Sequence, residues 1–168
     1  MTTAPALRLF NGGPLRLLPA LVREPRHAGL AILVGWLLSF SGSLALAFAA
    51  QGLAPDMAEP KFPGNGALVF VLLTVFAPVV ETLIMALLLV GLTRFMAPTA
   101  AVFASAALWG IAHSLQAPLW GAIIWWPFLV FSALFLVWRQ RGFWAGIGVA
   151  AATHALQNLG PALMVVNR

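Results

Sequence analysis

Residues 66–94 read GALVFVLLTVFAPVVETLIMALLLVGLTR, an apolar run that contains a single carboxylate, Glu81. As an α-helix this run would be about 43 Å long at ~1.5 Å per residue, whereas the hydrocarbon core of a bilayer is ~30 Å thick. The run is therefore long enough to cross a membrane. Pro78 lies inside it and predicts a kink or a new helix start, because proline cannot donate a backbone hydrogen bond.

The composition of the whole chain agrees with a membrane protein. Of its 168 residues, 62% are hydrophobic and 8% are charged, whereas soluble domains carry roughly 25% charged residues. A soluble chain of this length could not bury so much apolar surface. The nine basic residues flank the apolar runs and form no basic face, which argues against nucleic acid as a partner. The absence of cysteine excludes disulfides and thiolate chemistry.

The apolar runs predict an all-α fold, an integral membrane helix bundle of about five transmembrane helices. The runs lie at about 28–50, 66–94, 97–113, 118–138 and 143–166. They predict a single transmembrane domain, 28–168, after a basic cytoplasmic or interfacial segment, 1–27. The competing interpretation of the first run is a signal peptide, but the run exceeds the ~7–15 apolar residues of such peptides. The third and fifth runs are rich in small residues, so we expect these helices at the centre of the bundle.

The distribution of basic residues predicts the orientation. Loops that face the cytoplasm carry an excess of Lys and Arg. With the N-terminus in the cytoplasm, two basic residues lie outside, Lys61 and Arg168, and seven lie inside: Arg8, Arg16, Arg23, Arg26, Arg94, Arg139 and Arg141. We therefore expect a protein of the inner (cytoplasmic) membrane with a cytoplasmic N-terminus and with the loop 51–65 outside.

Few strongly polar side chains remain inside the predicted helices. They are Glu81, His113, His154, Gln157 and Asn158. A buried carboxylate costs several kcal/mol unless it is paired or protonated, so an ionisable residue inside a membrane helix suggests a functional site. The alternative is that Glu81 and a histidine form a neutral pair that only holds helices together. His154 and Asn158 are four residues apart and share one helix face, whereas Gln157 points elsewhere and is expected to join helices.

Two chemistries could use these groups. In the first, Glu81 is a general base that polarises a water together with His113, and the water attacks a peptide carbonyl. His154 and Asn158 then donate hydrogen bonds to the oxyanion. In the second, Glu81, His113 and His154 bind Zn²⁺ and leave a position open for water. We favour the first, with no cofactor, because asparagine is a poor zinc ligand but a good oxyanion donor.

The depth of these residues in the membrane constrains the helix of Glu81. His113 and Asn158 each lie sixteen residues along their helices from the inner side, which is ~24 Å at ~1.5 Å per residue. A straight helix from Gly66 would place Glu81 too deep to meet them. We therefore expect a break or a strong tilt of this helix near Ala77 and Pro78.

Three segments of the chain resemble the motifs of a known family. They are APVVETLIMA at 77–86, WGIAH at 109–113, and the pair RQRGFWA at 139–145 and HALQN at 154–158. In order and spacing they resemble the motifs of the CAAX-protease and bacteriocin-processing family, also called the Abi family. The resemblance implies a metal-independent, glutamate-type intramembrane endopeptidase. Its expected partners are the lipid bilayer and a membrane-associated or lipidated peptide.

The resemblance also implies roles for individual residues. It places Glu81 and His113 on the attacking water, and His154 and Asn158 around the oxyanion, in agreement with the first chemistry above. The family's first motif usually continues with a second glutamate and an arginine. Thr82 occupies the position of that glutamate, and either Met85 or Ala86 occupies that of the arginine.

The two missing charges would lie about one helical turn apart and could pair. Removing one partner of a buried pair costs ~3–5 kcal/mol, whereas replacing both can be nearly neutral. The change keeps Glu81 but leaves a second function open, a catalytically degenerate member that serves as an immunity, chaperone or assembly subunit of a larger membrane complex. A small transporter with a proton relay is a third possibility, although no inverted repeat is visible.

Overall fold

The computed structural model describes residues 9–56, 58, 60, 64 and 66–167. These residues form helices and connecting turns and include no β-strand. The helices are α1 (Ala20–Arg23), α2 (Ala28–Leu53), α3 (Gly66–Val71), α4 (Ala77–Leu92), α5 (Pro98–Ser114), α6 (Trp120–Trp138) and α7 (Phe143–Val166). Two short 3₁₀ turns, Pro14–Leu17 and Arg139–Arg141, and a π-helix, Leu72–Phe76, complete the regular structure.

The predicted all-α membrane bundle is confirmed. Within the described part of the chain, four helical stretches are long and apolar enough to cross a membrane: Ala28–Leu53, Gly66–Leu92, Trp120–Arg141 and Phe143–Val166. The third predicted run forms α5, which has 17 residues and packs along α6. Each of the five predicted runs thus corresponds to a helical stretch. The stretch formed by α5 is the shortest and is not among the four that are long enough to cross a membrane.

Helix α6 is the most deeply buried helix, so the expected central position of the third and fifth runs is wrong. Every residue from Pro127 to Trp138 is buried. The neighbouring helices contribute small residues at their contacts with α6. A Cβ atom on Gly146 of α7 would lie 2.9 Å from the Phe135 ring, and one on Gly110 of α5 would lie 3.1 Å from the carbonyl oxygen of Gly121 in α6. Small residues therefore mark the surfaces that receive a bulky central helix.

The helix that carries Glu81 widens immediately before it. Residues Leu72–Phe76 form a π-helix, in which the Ala77 N–H bonds a carbonyl five residues earlier. The expected break or tilt is thus a local widening, and the helix continues through it. In the same i to i+5 pattern, the carbonyl of Leu73 would need an N–H from Pro78, which has none. The π-helix and the proline together leave the Leu73 carbonyl oxygen without a backbone N–H partner, so it is free to accept a hydrogen bond from a side chain.

The arginine residues of the described chain lie at one end of the bundle. Consecutive long helices run in opposite directions, so the start of α2, the α4–α5 turn and the α6–α7 turn share this end, which we call the arginine end. The Arg141 Nε donates to the Pro25 carbonyl at 3.2 Å and connects two of these segments. Arg8, Lys61 and Arg168 lie outside the described residues. Which side of the membrane the arginine end faces stays a prediction.

The described part of the N-terminal segment packs against the bundle at this end. Phe10, Leu15 and Val22 are 1%, 2% and 0% exposed, respectively, and belong to the same hydrophobic core as α6. The Arg23 Nε donates to the Leu18 carbonyl at 2.7 Å and holds the turn before α1. Residues 9–27 are therefore an integral part of the packed structure, although the sequence is basic.

Candidate active site

The five polar residues singled out in the sequence all line one cavity of about 160 Å³ between α4, α5, α6 and α7: Glu81, His113, His154, Gln157 and Asn158. Most of the remaining lining is apolar and includes Trp120, Phe128 and Phe131 of α6. The bundle therefore brings a carboxylate, two imidazoles and a carboxamide together in a largely apolar cavity. Such convergence of a few polar groups in an apolar cavity is typical of binding and active sites.

Glu81 and His154 face each other across the cavity. The Glu81 Oε2 lies 3.6 Å from the His154 Nε2, which is within ion-pair distance but too long for a hydrogen bond. The Glu81 side chain is 27% exposed, whereas that of His154 is 4% exposed. The Glu81 carboxylate is therefore accessible from the cavity, whereas the buried His154 imidazole exposes only its Nε2 edge to the cavity.

Aromatic rings hold the imidazole of His154 in place. Its ring stacks on Phe131 with the centroids 4.6 Å apart, and the Phe128 ring meets it edge-on at 5.3 Å. The His154 Nδ1 is buried and has no hydrogen-bond partner within the described chain. Because the rings fix its plane, His154 has one polar edge, Nε2, for chemistry in the cavity.

A backbone hydrogen bond orients His113. Its Nδ1 lies 2.8 Å from the Trp109 carbonyl, one turn earlier in α5. A carbonyl only accepts, so Nδ1 carries the hydrogen in this bond, and in the neutral ring Nε2 keeps its lone pair. The rings of Trp120 and Phe128 pack around the imidazole with centroids 4.8 and 5.4 Å away. Residue His113 thus offers an oriented hydrogen-bond acceptor to the cavity.

Asn158 uses the carbonyl that the π-helix leaves free. Its Nδ2 donates to the Leu73 oxygen at 3.0 Å, so α7 is tied to the helix that carries Glu81. The carboxamide retains a second N–H. Sequence reasoning did not identify Leu73, because a backbone carbonyl carries no signal in the side chain. The one available signal was Pro78, whose missing N–H leaves an upstream carbonyl unpaired.

Gln157 joins helices, as the sequence predicted, but it also lines the cavity, so the expectation that it points elsewhere is wrong. Its Oε1 accepts from the Ser39 Oγ at 2.9 Å, and its Nε2 donates to the Ser43 Oγ at 3.4 Å. Both serines belong to α2 and are buried. These bonds fix the rotation of α7 about its axis, and therefore the direction in which His154 and Asn158 point.

The positions at which the chain departs from the family motif lie in the core. Thr82, Met85 and Ala86 are fully buried, and none of them lines the cavity. The Thr82 Oγ1 has no hydrogen-bond partner among the described residues. A glutamate in place of Thr82 would therefore need its partner charge inside the bundle. Replacing both charges keeps this part of the core apolar and leaves Glu81 in the cavity.

The alternative Zn²⁺ site does not match the donor arrangement. In the part of the chain that the structure describes, no three side chains among His, Cys, Asp and Glu are grouped so that they could hold a metal ion. Glu81 and His154 are close, but structural and catalytic zinc sites use three or four protein ligands. The residues present therefore do not fit the expected three-ligand zinc site.

Comparisons with known proteins identify the family. The family model described as type II CAAX prenyl endopeptidase Rce1-like matches residues 63–160, more than half of the chain. The matched region contains all three sequence motifs and the four proposed catalytic residues, Glu81, His113, His154 and Asn158. No curated protein and no solved structure matches the chain. The chain belongs to the type II CAAX prenyl endopeptidase Rce1-like family, as its motifs had indicated.

Proposed function

We propose that this protein is an intramembrane endopeptidase that hydrolyses a peptide bond of a membrane-associated or lipidated peptide with a water activated by Glu81 and histidine. The observation that carries the proposal is the cavity in which one accessible carboxylate meets two oriented imidazoles and a carboxamide. Family membership supports a protease of the CAAX endopeptidase kind. The mechanism, the activity and the residue roles below are part of the proposal.

Water activation needs two acceptors for one water molecule. The Glu81 carboxylate takes one proton of the water, and the Nε2 lone pair of His113 accepts a hydrogen bond from the other. The water oxygen attacks the scissile carbonyl, whose π electrons move to its oxygen and give a tetrahedral oxyanion. Glu81 then gives its proton to the leaving amine nitrogen as the C–N bond breaks. Protons and electrons therefore balance without a further reactant.

The oxyanion needs donors that are already in place. The His154 Nε2 edge faces the cavity beside Glu81, and Asn158 has one N–H beyond the one it gives to Leu73. Both side chains are held in place: His154 stacks on an aromatic ring, and Asn158 donates a hydrogen bond to a backbone carbonyl. Removing one such donor typically costs ~2.7–4 kcal/mol of transition-state stabilisation.

A carboxylate-to-amide substitution tests the proposal. Wild type, Glu81→Gln and Asp56→Asn are purified in lipid nanodiscs and incubated with a peptide that carries a prenylated CAAX terminus, and fragments are measured by mass spectrometry. Asp56 is exposed at the end of α2 and serves as the matched control. We expect Glu81→Gln to lose about 10²–10⁴-fold in rate and Asp56→Asn to keep the wild-type rate. Equal cleavage by all three proteins would contradict the role of Glu81.

A second candidate function rests on Thr82, Met85 and Ala86, which lack the charges of the family motif. In that function the chain is a catalytically degenerate subunit for immunity, chaperoning or assembly of a larger membrane complex. The same assay separates the two functions. A wild-type protein that releases no fragment from a panel of prenylated and unmodified peptides, but copurifies with stoichiometric membrane partners, would favour the second.

The proposed orientation places the arginine end in the cytoplasm and the loop at 51–65 outside the inner membrane. The described arginines support it through the positive-inside rule. The chain contains no cysteine, so single cysteines can be introduced at Ala58 and Arg94 without background labelling. We expect a membrane-impermeant maleimide to label position 58 from the outside and position 94 only after permeabilisation. The reverse pattern would invert the topology.

A further inference from the structure

A second cavity, of about 280 Å³, opens at the arginine end of the bundle, far from the candidate active site. Its lining comes from the N-terminal segment, the α4–α5 turn and the end of α6: Leu9, Thr93, Pro98, Leu136, Arg139 and Gln140. None of these residues lines the cavity around Glu81. The second cavity therefore shares no residue with the site of the proposed peptide hydrolysis.

Two of the three polar side chains of this cavity, Arg139 and Gln140, have no acceptor among the described residues. The Gln140 Nε2 is buried and has no hydrogen-bond partner in the described chain. No carboxylate of the described residues lies within ion-pair distance of the Arg139 guanidinium. By contrast, the Thr93 hydroxyl donates to the Leu89 carbonyl at 2.8 Å and is satisfied. Buried donors normally have a partner, so the acceptor for the Gln140 amide is expected from a ligand that also lies beside the half-buried Arg139 guanidinium.

The charges around the cavity favour an anion. Among described acidic residues, Glu24 pairs with Arg26 at 2.9 Å, Asp56 lies at the opposite end of α2, and Glu81 faces the other cavity. Arg139 contributes a positive charge inside the cavity, and the described carboxylate at the arginine end, that of Glu24, already pairs with Arg26. The field at this end is therefore positive.

The shape and chemistry of the donors select a phosphate group. A guanidinium presents a planar fork of N–H donors that matches phosphate oxygens, and an amide N–H adds a further donor beside it. Leu9, Pro98 and Leu136 give the same cavity an apolar wall. Basic pockets between membrane helices at the headgroup level bind anionic lipid headgroups. The cavity is slightly smaller than the ~300–1,000 Å³ of pockets for drug-sized ligands, which suits a headgroup.

We propose that the cavity around Arg139 and Gln140 binds a phosphate group, supplied either by the headgroup of an anionic phospholipid or by a free phosphate ion. Arg139 contributes the charge and the paired donors, and Gln140 contributes the amide donor. Since Leu9 lines the cavity and Phe10 beside it is buried in the core, the bound group also holds the N-terminal segment against α6.

The test compares Arg139→Gln with Arg94→Gln, an exposed arginine at the same end that does not line the cavity. Each full-length protein is reconstituted in phosphatidylcholine vesicles with a minority of phosphatidylglycerol and extracted into mild detergent, and its bound lipids are counted by native mass spectrometry. We expect wild type and Arg94→Gln to retain phosphatidylglycerol over phosphatidylcholine. We expect Arg139→Gln to retain about tenfold less, because it loses charge-assisted hydrogen bonds.

A second arm distinguishes the two sources of phosphate. Inorganic phosphate is titrated into lipid-free protein in neutral detergent, and thermal unfolding is followed by tryptophan fluorescence. Stabilisation of wild type but not of Arg139→Gln, without enrichment of phosphatidylglycerol, would support the site and identify free phosphate as its ligand. The proposal is overturned if Arg139→Gln and Arg94→Gln bind lipid and phosphate equally.

Two further variants exclude misfolding as the cause of a loss. Arg139→Lys keeps the charge but not the planar fork, so we expect intermediate retention of phosphatidylglycerol. Gln140→Leu removes the buried unpartnered amide, and we expect weaker retention with unchanged unfolding temperature in the absence of ligand. Wild-type retention by both variants would overturn the assigned donors. These measurements do not use peptide cleavage, so they stand whether or not the proposed activity is found.

Discussion

The cavity around Glu81 and the cavity around Arg139 differ in whether the protein supplies partners for their polar side chains. Around Glu81, the protein itself orients the polar side chains: His113 and Asn158 each bond a backbone carbonyl, and His154 stacks on an aromatic ring. Around Arg139, the Arg139 and Gln140 side chains have no partner among the described residues. Side chains that the fold orients need no reorganisation before they bind a substrate, whereas the Gln140 amide still needs an acceptor. The orientation of the groups around Glu81 can be tested by substitution.

Among substitutions that remove a contact made by the fold, the largest expected effect is on catalysis, from Asn158→Ala. Asn167, directly after the end of α7, provides a matched control, because its Nδ2 also donates to a carbonyl, that of Leu163 at 2.8 Å, but on the exposed surface. We expect Asn158→Ala to lower the turnover number by about 10²–10³-fold through loss of an oxyanion donor. Asn167→Ala should stay close to wild type in the same peptide-release assay. Similar losses in both variants would show that Asn158 has no special role.

A smaller effect, on stability, is expected where α5 and α6 approach most closely. A side chain at Gly121 would overlap the Gly110 carbonyl oxygen, so Gly121→Leu must push the two helices apart. We expect a loss of about 1–3 kcal/mol in the free energy of unfolding. Gly148→Leu is the control, since Gly148 is exposed and a Cβ there meets nothing within 4 Å. Equal unfolding temperatures for the two variants would contradict the close approach of α5 and α6.

The smallest effect is expected from the polar contact between α7 and α2. Replacing Gln157 by leucine removes its bonds to Ser39 and Ser43, but the Ser39 hydroxyl can still donate to the Trp36 carbonyl at 3.0 Å. We expect a loss of about 0.6 kcal/mol, the average for hydrogen bonds between membrane helices. Thermal unfolding followed by tryptophan fluorescence measures it. The control is Ser41→Ala, whose exposed hydroxyl bonds only its own helix.

The sequence was sufficient to propose which polar residues meet in the cavity around Glu81. An ionisable side chain inside an apolar helix must turn towards the interior, and Glu81, His113 and His154 were the three such residues in the predicted helices. The pairing of each group was not predictable. Glu81 contacts His154 directly, and the partner of Asn158 is the backbone of Leu73. These pairings depend on helix rotation and on the π-helix, which side-chain patterns do not encode.

The prediction that the third and fifth runs form the centre of the bundle was wrong for a physical reason. Small residues in α5 and α7 indicated close helix contact, which is correct, but they receive the bulky α6 and do not form the centre themselves. The run from Pro127 to Trp138 is strongly apolar on all faces. A lipid-facing helix has the same composition, because apolar side chains are favourable both in lipid and in a protein core. Hydrophobicity alone therefore could not show that α6 is enclosed.

The central claim, a metal-independent hydrolysis that depends on Glu81, is tested most directly by combining elemental analysis with chelation. Zinc content and peptide release are measured for the purified wild type and Glu81→Gln before and after treatment with a strong chelator. We predict substoichiometric zinc, a wild-type rate that the chelator does not change, and a Glu81→Gln rate lower by about 10²–10⁴-fold. Near-stoichiometric zinc, with activity lost to the chelator and restored by added Zn²⁺, would contradict this mechanism.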